Sequence, residues 1–268
     1  MTKYSHVINV GIQNTLVYRV NFLFRAVFGL IPLLATILLW RAVYASNPDN
    51  PKVAGYTLAG MTSYYLLATI VDALTAVTDD DWQIAADIRE GQISQFLVKP
   101  VDYLAYRLCL FAAGRFVYST VAVVPVVVFL VLQRAYFVPP AGWSAFLLAL
   151  CSTIMAALLN FLISYTMALL AFWVLEVSTF IFILFAFEYL AGGHLFPLDI
   201  LPPAVAAALS YTPFPYQLYF PVSIYLGRVT DGELGRGLLV QAFWVVAAYV
   251  LARWVWKRGI RRYAAVGG

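Results

Sequence analysis

The sequence predicts an all-α membrane protein, and its composition, its apolar runs and the spacing of its polar breaks all favour this fold class. Of the 268 residues, 63% are hydrophobic and 11% are charged, and the mean hydropathy is +0.84. Soluble domains are roughly 45 to 50% apolar, so a water-soluble fold could not bury this much apolar surface. Several nearly uncharged runs reach the roughly 20 residues that a helix needs to cross a bilayer. We therefore expect a single transmembrane domain, residues 1–268, with six transmembrane helices.

The first elements are an interfacial helix and two spans. Residues 1–20 place apolar and polar side chains at nearly helical spacing, which is typical of an amphipathic helix on the membrane surface. No short apolar core precedes a small-residue cleavage site there, so we expect no removable signal peptide. The first span is predicted at 21–44. A loop rich in Asn and Pro, at 45–56, separates it from the second span at 57–77.

The longest polar segment follows the second span. Three aspartates at 79–81 can cap a helix, because the free N–H groups and the dipole of a helix N-terminus favour negative charge. Gly91 is expected to break that helix, and a second short helix at 93–98 must end before Pro100. The apolar side chains of this segment need a cover, either the membrane surface or a partner protein: Ile88, Ile93, Phe96 and Leu97.

The second half of the chain contains the remaining spans. The third span is predicted at 108–132. The apolar run that follows is too long for one helix, and Glu176 offers a polar break within it. We therefore predict the fourth span at 143–172 and the fifth at 177–191. The sixth span is predicted at 237–256 and leads into a basic cluster.

Between the fifth and sixth spans, residues 192–228 have the pattern of neither a span nor an ordinary loop. Two adjacent glycines and six prolines interrupt apolar patches that are too short to cross a bilayer. Irregular backbone persists at membrane depth only where protein or a water-filled cavity surrounds it. We therefore predict short re-entrant or interfacial helices in this segment.

The distribution of basic residues predicts the orientation. Cytoplasmic loops carry an excess of Lys and Arg. With the N-terminus inside, 12 of the 17 basic residues lie on or near the cytoplasmic side, and both termini and the polar segment are expected there. Their position at span edges follows membrane topology, and we expect no nucleic-acid partner. The outer side then has the other five: Arg41, Lys52, Arg134, Arg228 and Arg236.

Two motifs resemble those of ABC type-2 exporter permeases. Residues 88–101, IREGQISQFLVKPV, resemble the segment between spans two and three of that family. Residues 193–202, GHLFPLDILP, resemble its signature after span five, and residues 209–227, with TPFPY at 212–216, continue that match. The order of the spans and the amphipathic start also agree. The resemblance therefore covers nearly the whole chain.

The resemblance implies that residues 79–100 are a coupling segment that docks on an ATPase, and that residues 192–228 form an outer gate. The sequence has no GxxxxGK[ST] phosphate loop, so we expect this chain to be no enzyme and to hold no cofactor; ATP and Mg²⁺ belong to a dimer of separate ATPase subunits. A second permease chain, identical or homologous, would complete a pathway for an amphiphilic or lipid-like substrate through the lipids of the bacterial inner membrane. The implied coupling residues are Trp82, Ile88, Arg89, Glu90, Gly91, Ile93, Phe96, Leu97, Lys99 and Pro100, and the implied gate residues are Gly193, Phe196, Pro197, Pro202, Pro213 and Pro215.

Ionisable residues inside spans are costly and are therefore functional candidates. Arg25 and Asp72 are expected at similar depth, so they form either a structural ion pair or a substrate contact. Glu188, near the outer end of span five, could bind a cationic substrate group, relay a proton or pair with a polar neighbour. The two histidines, His6 and His194, are expected on opposite membrane sides, so we predict no metal site.

A protein of another class would use the acidic segment as a catalytic site. Asp79, Asp80 and Asp81 could hold Mg²⁺ and a diphosphate in a membrane-embedded prenyl or acyl transferase. Such a site needs acidic ligands from more than one segment, and the other cytoplasmic carboxylates, such as Asp87 and Glu90, are all local. A channel, or a scaffold unrelated to ABC transporters, has no filter-like sequence in its favour. Single Asn substitutions at the three aspartates would abolish an enzyme and leave a permease working.

Overall fold

The computed structural model describes residues 2–46, 52–77, 80–229 and 231–263, which form a helical bundle without strands. The predicted all-α fold class is confirmed. Eleven α-helices lie in the described ranges: α1 (Thr2–Leu16), α2 (Arg19–Ala45), α3 (Leu58–Thr75), α4 (Asp80–Arg89), α5 (Ile93–Leu97), α6 (Tyr103–Leu132), α7 (Trp143–Ala168), α8 (Ser178–Ala191), α9 (Pro203–Leu209), α10 (Tyr219–Tyr225) and α11 (Asp231–Arg262).

Five of the described helices are long and apolar enough to cross a membrane. They are α2, α3, α6, α7 with its 3₁₀ extension to Phe172, and α11, and they correspond to predicted spans one to four and six. The predicted fifth span is α8, which has 14 residues. A helix of that length is about 21 Å long, whereas the bilayer core is about 30 Å thick. Because α8 ends at Ala191, residues 192–228 begin at the end of a helix that is too short to cross the bilayer.

The N-terminal helix α1 packs against α6. The two backbones approach closely at Gly11, where an added Cβ would lie 3.0 Å from the Cβ of Ala113 and 3.1 Å from Leu110. A larger side chain would separate the helices, so glycine permits this contact. The structure therefore places a helix within residues 1–20, as the sequence predicts, and ends it at Leu16.

Buried side chains form two clusters that share α10 as a neighbour. The first runs along α7 and joins it to α4, α5, α6, α10 and α11, through residues such as Ile84, Tyr165 and Val255. The second joins α2 and α3 to α10 and the residue before it, through residues such as Ile37, Tyr64 and Leu218. Residues near both ends of the irregular segment 192–228, such as Gly193 and Val222, are therefore buried in protein, as backbone at membrane depth requires, whereas α9 between them has no buried residue. We call the end of the bundle that holds α4 and α5 the coupling end, and the opposite end the re-entrant end.

Candidate functional site

The coupling segment is fixed to α6 by a buried arginine. Arg107 is 4% exposed. Its guanidinium donates to Asp87 Oδ2 at 2.5 Å, to Gln83 Oε1 at 3.1 Å and to the Tyr103 hydroxyl at 3.0 Å. The Tyr103 hydroxyl in turn donates to Asp87 Oδ2 at 2.7 Å. A buried guanidinium is stable only when paired and hydrogen-bonded, so these contacts hold α4 in one position on α6.

Sequence reasoning missed this network. The sequence predicts Arg107 only as one of the basic residues on the cytoplasmic side of the membrane. The available signal was an arginine near the start of an apolar span, with Asp87 in the polar segment before it. Nothing in the spacing of the two residues required them to meet, because α5 and two turns lie between them.

A left-handed glycine joins the two short helices of the coupling segment. Gly91 has a φ of 79°, a conformation that favours glycine, and the break predicted there is present. The hydroxyl of Ser94 donates to the Gly91 carbonyl at 2.5 Å and lies 3.1 Å from the hydroxyl of Tyr263, beyond α11. The turn is thereby tied to the C-terminal helix as well as to α6.

Three apolar residues of the coupling segment are covered by the chain itself. Ile88 and Ile93 are buried, and the ring of Phe96 packs against Tyr103 and Tyr106 at centroid distances of 4.9 and 5.0 Å. The expectation that the membrane or a partner protein covers them is wrong. The cause is that α4 and α5 fold back onto α6 and α7, which supply the missing apolar surface.

Other residues of the coupling segment remain on the surface. Leu97 is 52% and Val98 is 84% exposed, and Leu175, in the loop before α8, is 86% exposed. Arg89 connects the two regions, because its guanidinium donates to the Leu175 carbonyl at 3.3 Å. We call the following exposed set the docking surface: Arg89, Glu90, Leu97, Val98, Lys99, Pro100 and Leu175. Trp82, also exposed, lies on α4 outside this set.

Asp102 closes the coupling segment by joining three helices. Its Oδ1 accepts the Ala105 N–H at 2.9 Å and so caps α6, while Oδ2 pairs with Arg253 of α11. Its own N–H faces the Tyr4 hydroxyl of α1 at 3.4 Å. Partial burial raises the pKa of Asp102, but the hydrogen bonds from Arg253 and Ala105 outweigh it and hold the pKa below its ordinary value. The carboxylate therefore stays charged at neutral pH.

At the re-entrant end, prolines introduce a series of short helices. Pro197 precedes a 3₁₀ turn at 198–200, Pro202 precedes α9, and Pro213 precedes a second 3₁₀ turn at 214–216. Proline is favoured at helix starts because its φ is already suited and its missing N–H would be unpaired there. Of the six proposed gate residues, Gly193, Pro197 and Pro215 are buried, Phe196 and Pro213 are partly buried and Pro202 is exposed.

Asp199 ties the re-entrant segment to the loop after α2. Its Oδ2 accepts the Tyr56 hydroxyl at 2.6 Å and its Oδ1 accepts the Tyr219 hydroxyl at 2.8 Å. Arg228 lies 3.5 Å from Oδ2, and its guanidinium stacks 3.6 Å from the centre of the Tyr56 ring. This cluster was not predicted, although Asp199 lies within the second motif.

Gly193 is held by two tyrosines of neighbouring helices. Its φ is 91°, and its carbonyl accepts the Tyr64 hydroxyl of α3 at 2.6 Å. The neighbouring Gly192 carbonyl accepts the Tyr219 N–H at 3.0 Å. A Cβ on Gly193 would lie 2.6 Å from the Tyr64 hydroxyl. The first glycine of the second motif is therefore required by both conformation and space.

The ionisable residues inside the bundle are arranged differently from the prediction. Asp72 pairs with His194, with 3.5 Å between Oδ1 and Nε2. The predicted ion pair between Arg25 and Asp72 is absent among the described residues; Arg25 is exposed and lines a cavity that Asp72 also borders. The physical reason is the shortness of α8, which lets His194 lie at the depth of Asp72. Glu188 lies near both and interacts with them electrostatically.

The acidic cluster of the alternative enzyme interpretation lies largely outside the described residues. Asp79 is outside them, and the side chains of Asp80 and Asp81 are not described. Within the part of the chain that is described, no group of three or more His, Cys, Asp or Glu side chains could hold a metal ion.

Comparison with known protein families places most of the chain in a family of membrane transport proteins. Residues 30–267 match the model of the family described as "ABC-2 family transporter protein". The match includes both motifs and all five helices of spanning length, apart from the first turns of α2. No curated protein matches the sequence.

Proposed function

Since the chain belongs to the ABC-2 family of transporter proteins, we propose that it is the permease subunit of an exporter, driven by ATP that a separate ATPase subunit hydrolyses. The family makes it a multi-pass membrane protein with a role in transport. In the proposed complex the docking surface contacts the ATPase, and two permease chains, identical or homologous, form the pathway between them. The substrate would be amphiphilic or lipid-like and would enter from the inner leaflet of the bacterial inner membrane. The family match gives no support to a prenyl or acyl transferase.

The observation that carries the proposal is the attachment of α4 to α6 through Arg107. A coupling element must transmit force, so it has to be fixed to a span on one side and exposed to the ATPase on the other. The buried network of Arg107, Asp87 and Tyr103 supplies the first property. The exposed side chains of Leu97 and Val98 supply the second, because apolar residues exposed together on a surface are typical of protein interaction sites.

Recovery of the ATPase with the tagged chain tests the proposal. We expect a nucleotide-binding ATPase to co-purify from native membranes with the wild-type chain, and to be identified by mass spectrometry. The double variant Leu97→Asp, Val98→Asp should lower the recovery of the ATPase about tenfold or more, since each change places a charge in an apolar contact. Ile93 is unsuitable for this test because it is buried and its exchange would disturb the fold.

The matched control is Tyr211→Asp, which exchanges a side chain that is 72% exposed at the re-entrant end. It should leave recovery of the ATPase unchanged. Absence of any ATPase from a wild-type preparation that remains folded would contradict the proposal. If the Leu97→Asp, Val98→Asp variant and the Tyr211→Asp variant recover the ATPase equally, the ATPase does not contact the docking surface.

The proposed orientation makes a separate prediction. With Cys109 and Cys151 exchanged for alanine, single cysteines are introduced by Gln95→Cys on α5 and by Ala207→Cys on α9, both at exposed positions. A membrane-impermeant maleimide should label the first only in inside-out vesicles and the second only in intact cells. The reverse pattern would overturn the orientation that the basic residues predict.

A further inference from the structure

We propose that the small cavity between α3, α7 and α8 binds an ammonium or guanidinium group of the transported molecule. The proposal rests on the proposed function and names its substrate class, a cationic amphiphile with N–H donors. The cavity is about 80 Å³ in volume. The residues of its lining with polar side-chain atoms are Asp72, Asn160, Ser164, Glu188, Tyr189 and His194.

The cavity lies between helices of the bundle, two of which, α3 and α7, are long and apolar enough to cross a membrane. Asn160 is about two-thirds of the way along α7, and its side-chain NH₂ lies 3.5 Å from the carbonyl of Thr75, the last residue of α3. α8 ends beside the same cavity, with Glu188 in its last turn. The C-terminal ends of two helices therefore meet there. Helix C-termini carry partial negative charge, and such ends line cation sites inside membrane transporters.

The polar atoms that face the cavity are short of donors. Asn160 is 6% exposed, and its Oδ1 has no hydrogen-bond partner. His194 also has a buried ring nitrogen, Nδ1, without a partner. Its other ring nitrogen, Nε2, lies 3.5 Å from Asp72 Oδ1. Within the described residues, the Glu188 carboxylate has neither a hydrogen bond nor an ion pair.

These atoms select a ligand that is both positive and a hydrogen-bond donor. Two carboxylates and one amide oxygen are acceptors, and among the described residues no lysine or arginine lines the small cavity. An unpaired acceptor in a membrane interior is costly, so a donor that fills the site is favoured. Arg25 lines the neighbouring cavity, which also borders Asp72 and His194, and does not line the small one.

The neighbouring cavity has room for the rest of an amphiphile. It measures about 340 Å³ and shares Asp72, Tyr189 and His194 with the small one. Much of its lining is aliphatic, including Leu30 and Leu33 of α2. A molecule with its cationic group among the acceptors could therefore place its apolar part between α2, α3 and α6.

Equilibrium binding of radiolabelled dodecylammonium tests the inference. The full chain is purified in lipid nanodiscs, and empty nanodiscs correct for partition into lipid. We expect saturable binding that Glu188→Gln and Asp72→Asn each weaken about ten- to hundredfold, as expected for hydrogen bonds to charged groups. The matched control is Glu176→Gln, an exposed carboxylate before α8, and it should bind as wild type. Thermal unfolding of each variant verifies its fold.

Competition defines the chemistry of the group. Unlabelled dodecylammonium should displace the label, whereas dodecanol and dodecyltrimethylammonium, which lacks N–H donors, should not. Lack of saturable binding to the wild type, equal binding by Glu188→Gln and Asp72→Asn, or equal competition by dodecyltrimethylammonium would each overturn the inference.

Recovery of the ATPase from the same membranes separates this inference from the proposed function. If the chain recruits the ATPase but does not bind dodecylammonium, the permease proposal is supported and the cation site is overturned. If the chain binds dodecylammonium but recruits no ATPase, the inferred cation site is supported and the proposal of ATP-driven export is overturned.

Discussion

Replacement of Arg107 by methionine is expected to destabilise the protein by about 3 kcal/mol or more, because it leaves the Asp87 carboxylate without its buried partner. The Tyr103 hydroxyl and the Gln83 amide lose a contact at the same time. For a chain of this size the loss corresponds to a fall of roughly 6 to 12 °C in Tm. Thermal unfolding of the purified protein in detergent, followed by tryptophan fluorescence, measures it.

The double variant Arg107→Met with Asp87→Leu is the matched control. Removal of both charges abolishes the uncompensated carboxylate, and apolar replacements of buried ion pairs are often neutral. We expect the double variant to recover much of the lost Tm. A single variant as stable as the wild type, or a double variant less stable than the single one, would show that the network does not hold α4 on α6.

The exchange Gly193→Ala is expected to cost about 3 kcal/mol for two reasons. A non-glycine residue at a φ of 91° is strained by about 1 to 3 kcal/mol. The new Cβ, 2.6 Å from the Tyr64 hydroxyl, also displaces a buried donor from its carbonyl, which adds about 1 to 3 kcal/mol. Thermal unfolding without denaturant measures the loss of stability, and the yield of monodisperse protein gives a second measure of it.

Gly29→Ala is the control for the glycine exchange. Gly29 lies inside α2, and a Cβ there meets nothing within 4 Å. Alanine should be neutral or stabilise the helix by up to about 1 kcal/mol. A tolerated Gly193→Ala would mean that the contact between Tyr64 and the re-entrant segment yields easily, contrary to the geometry described.

The features that the sequence predicted well depend on the backbone preferences of single residues or on the fixed thickness of the bilayer. Five spans were located because a fixed membrane thickness demands long apolar runs. The helix break at Gly91 and the short helices that follow prolines in residues 192–228 were predicted because the backbone preferences of glycine and proline are intrinsic. The family resemblance depended on the order of two motifs along the chain, and the match over residues 30–267 confirms it.

The features that were missed depend on contacts between distant parts of the chain. The apolar face of α4 could be covered by lipid, by a partner or by the chain, and only the fold shows that α6 and α7 cover Ile88. The Arg25–Asp72 pair was inferred from equal depth on two full-length spans. It failed because equal depth on two spans does not bring their side chains together, and Asp72 instead faces His194, which follows the short helix α8.

The attachment of α4 to α6 has a mechanical consequence at the far end of the bundle. α6 has 30 residues and is therefore about 45 Å long, so a tilt of about 10° about its midpoint moves each end by about 4 Å. Its far end carries Phe129 and Leu130, which pack against the buried cluster around Tyr64. In the proposed exporter, a displacement applied at the Arg107 end of α6 therefore reaches the cluster around Tyr64 as an opposite displacement of similar size.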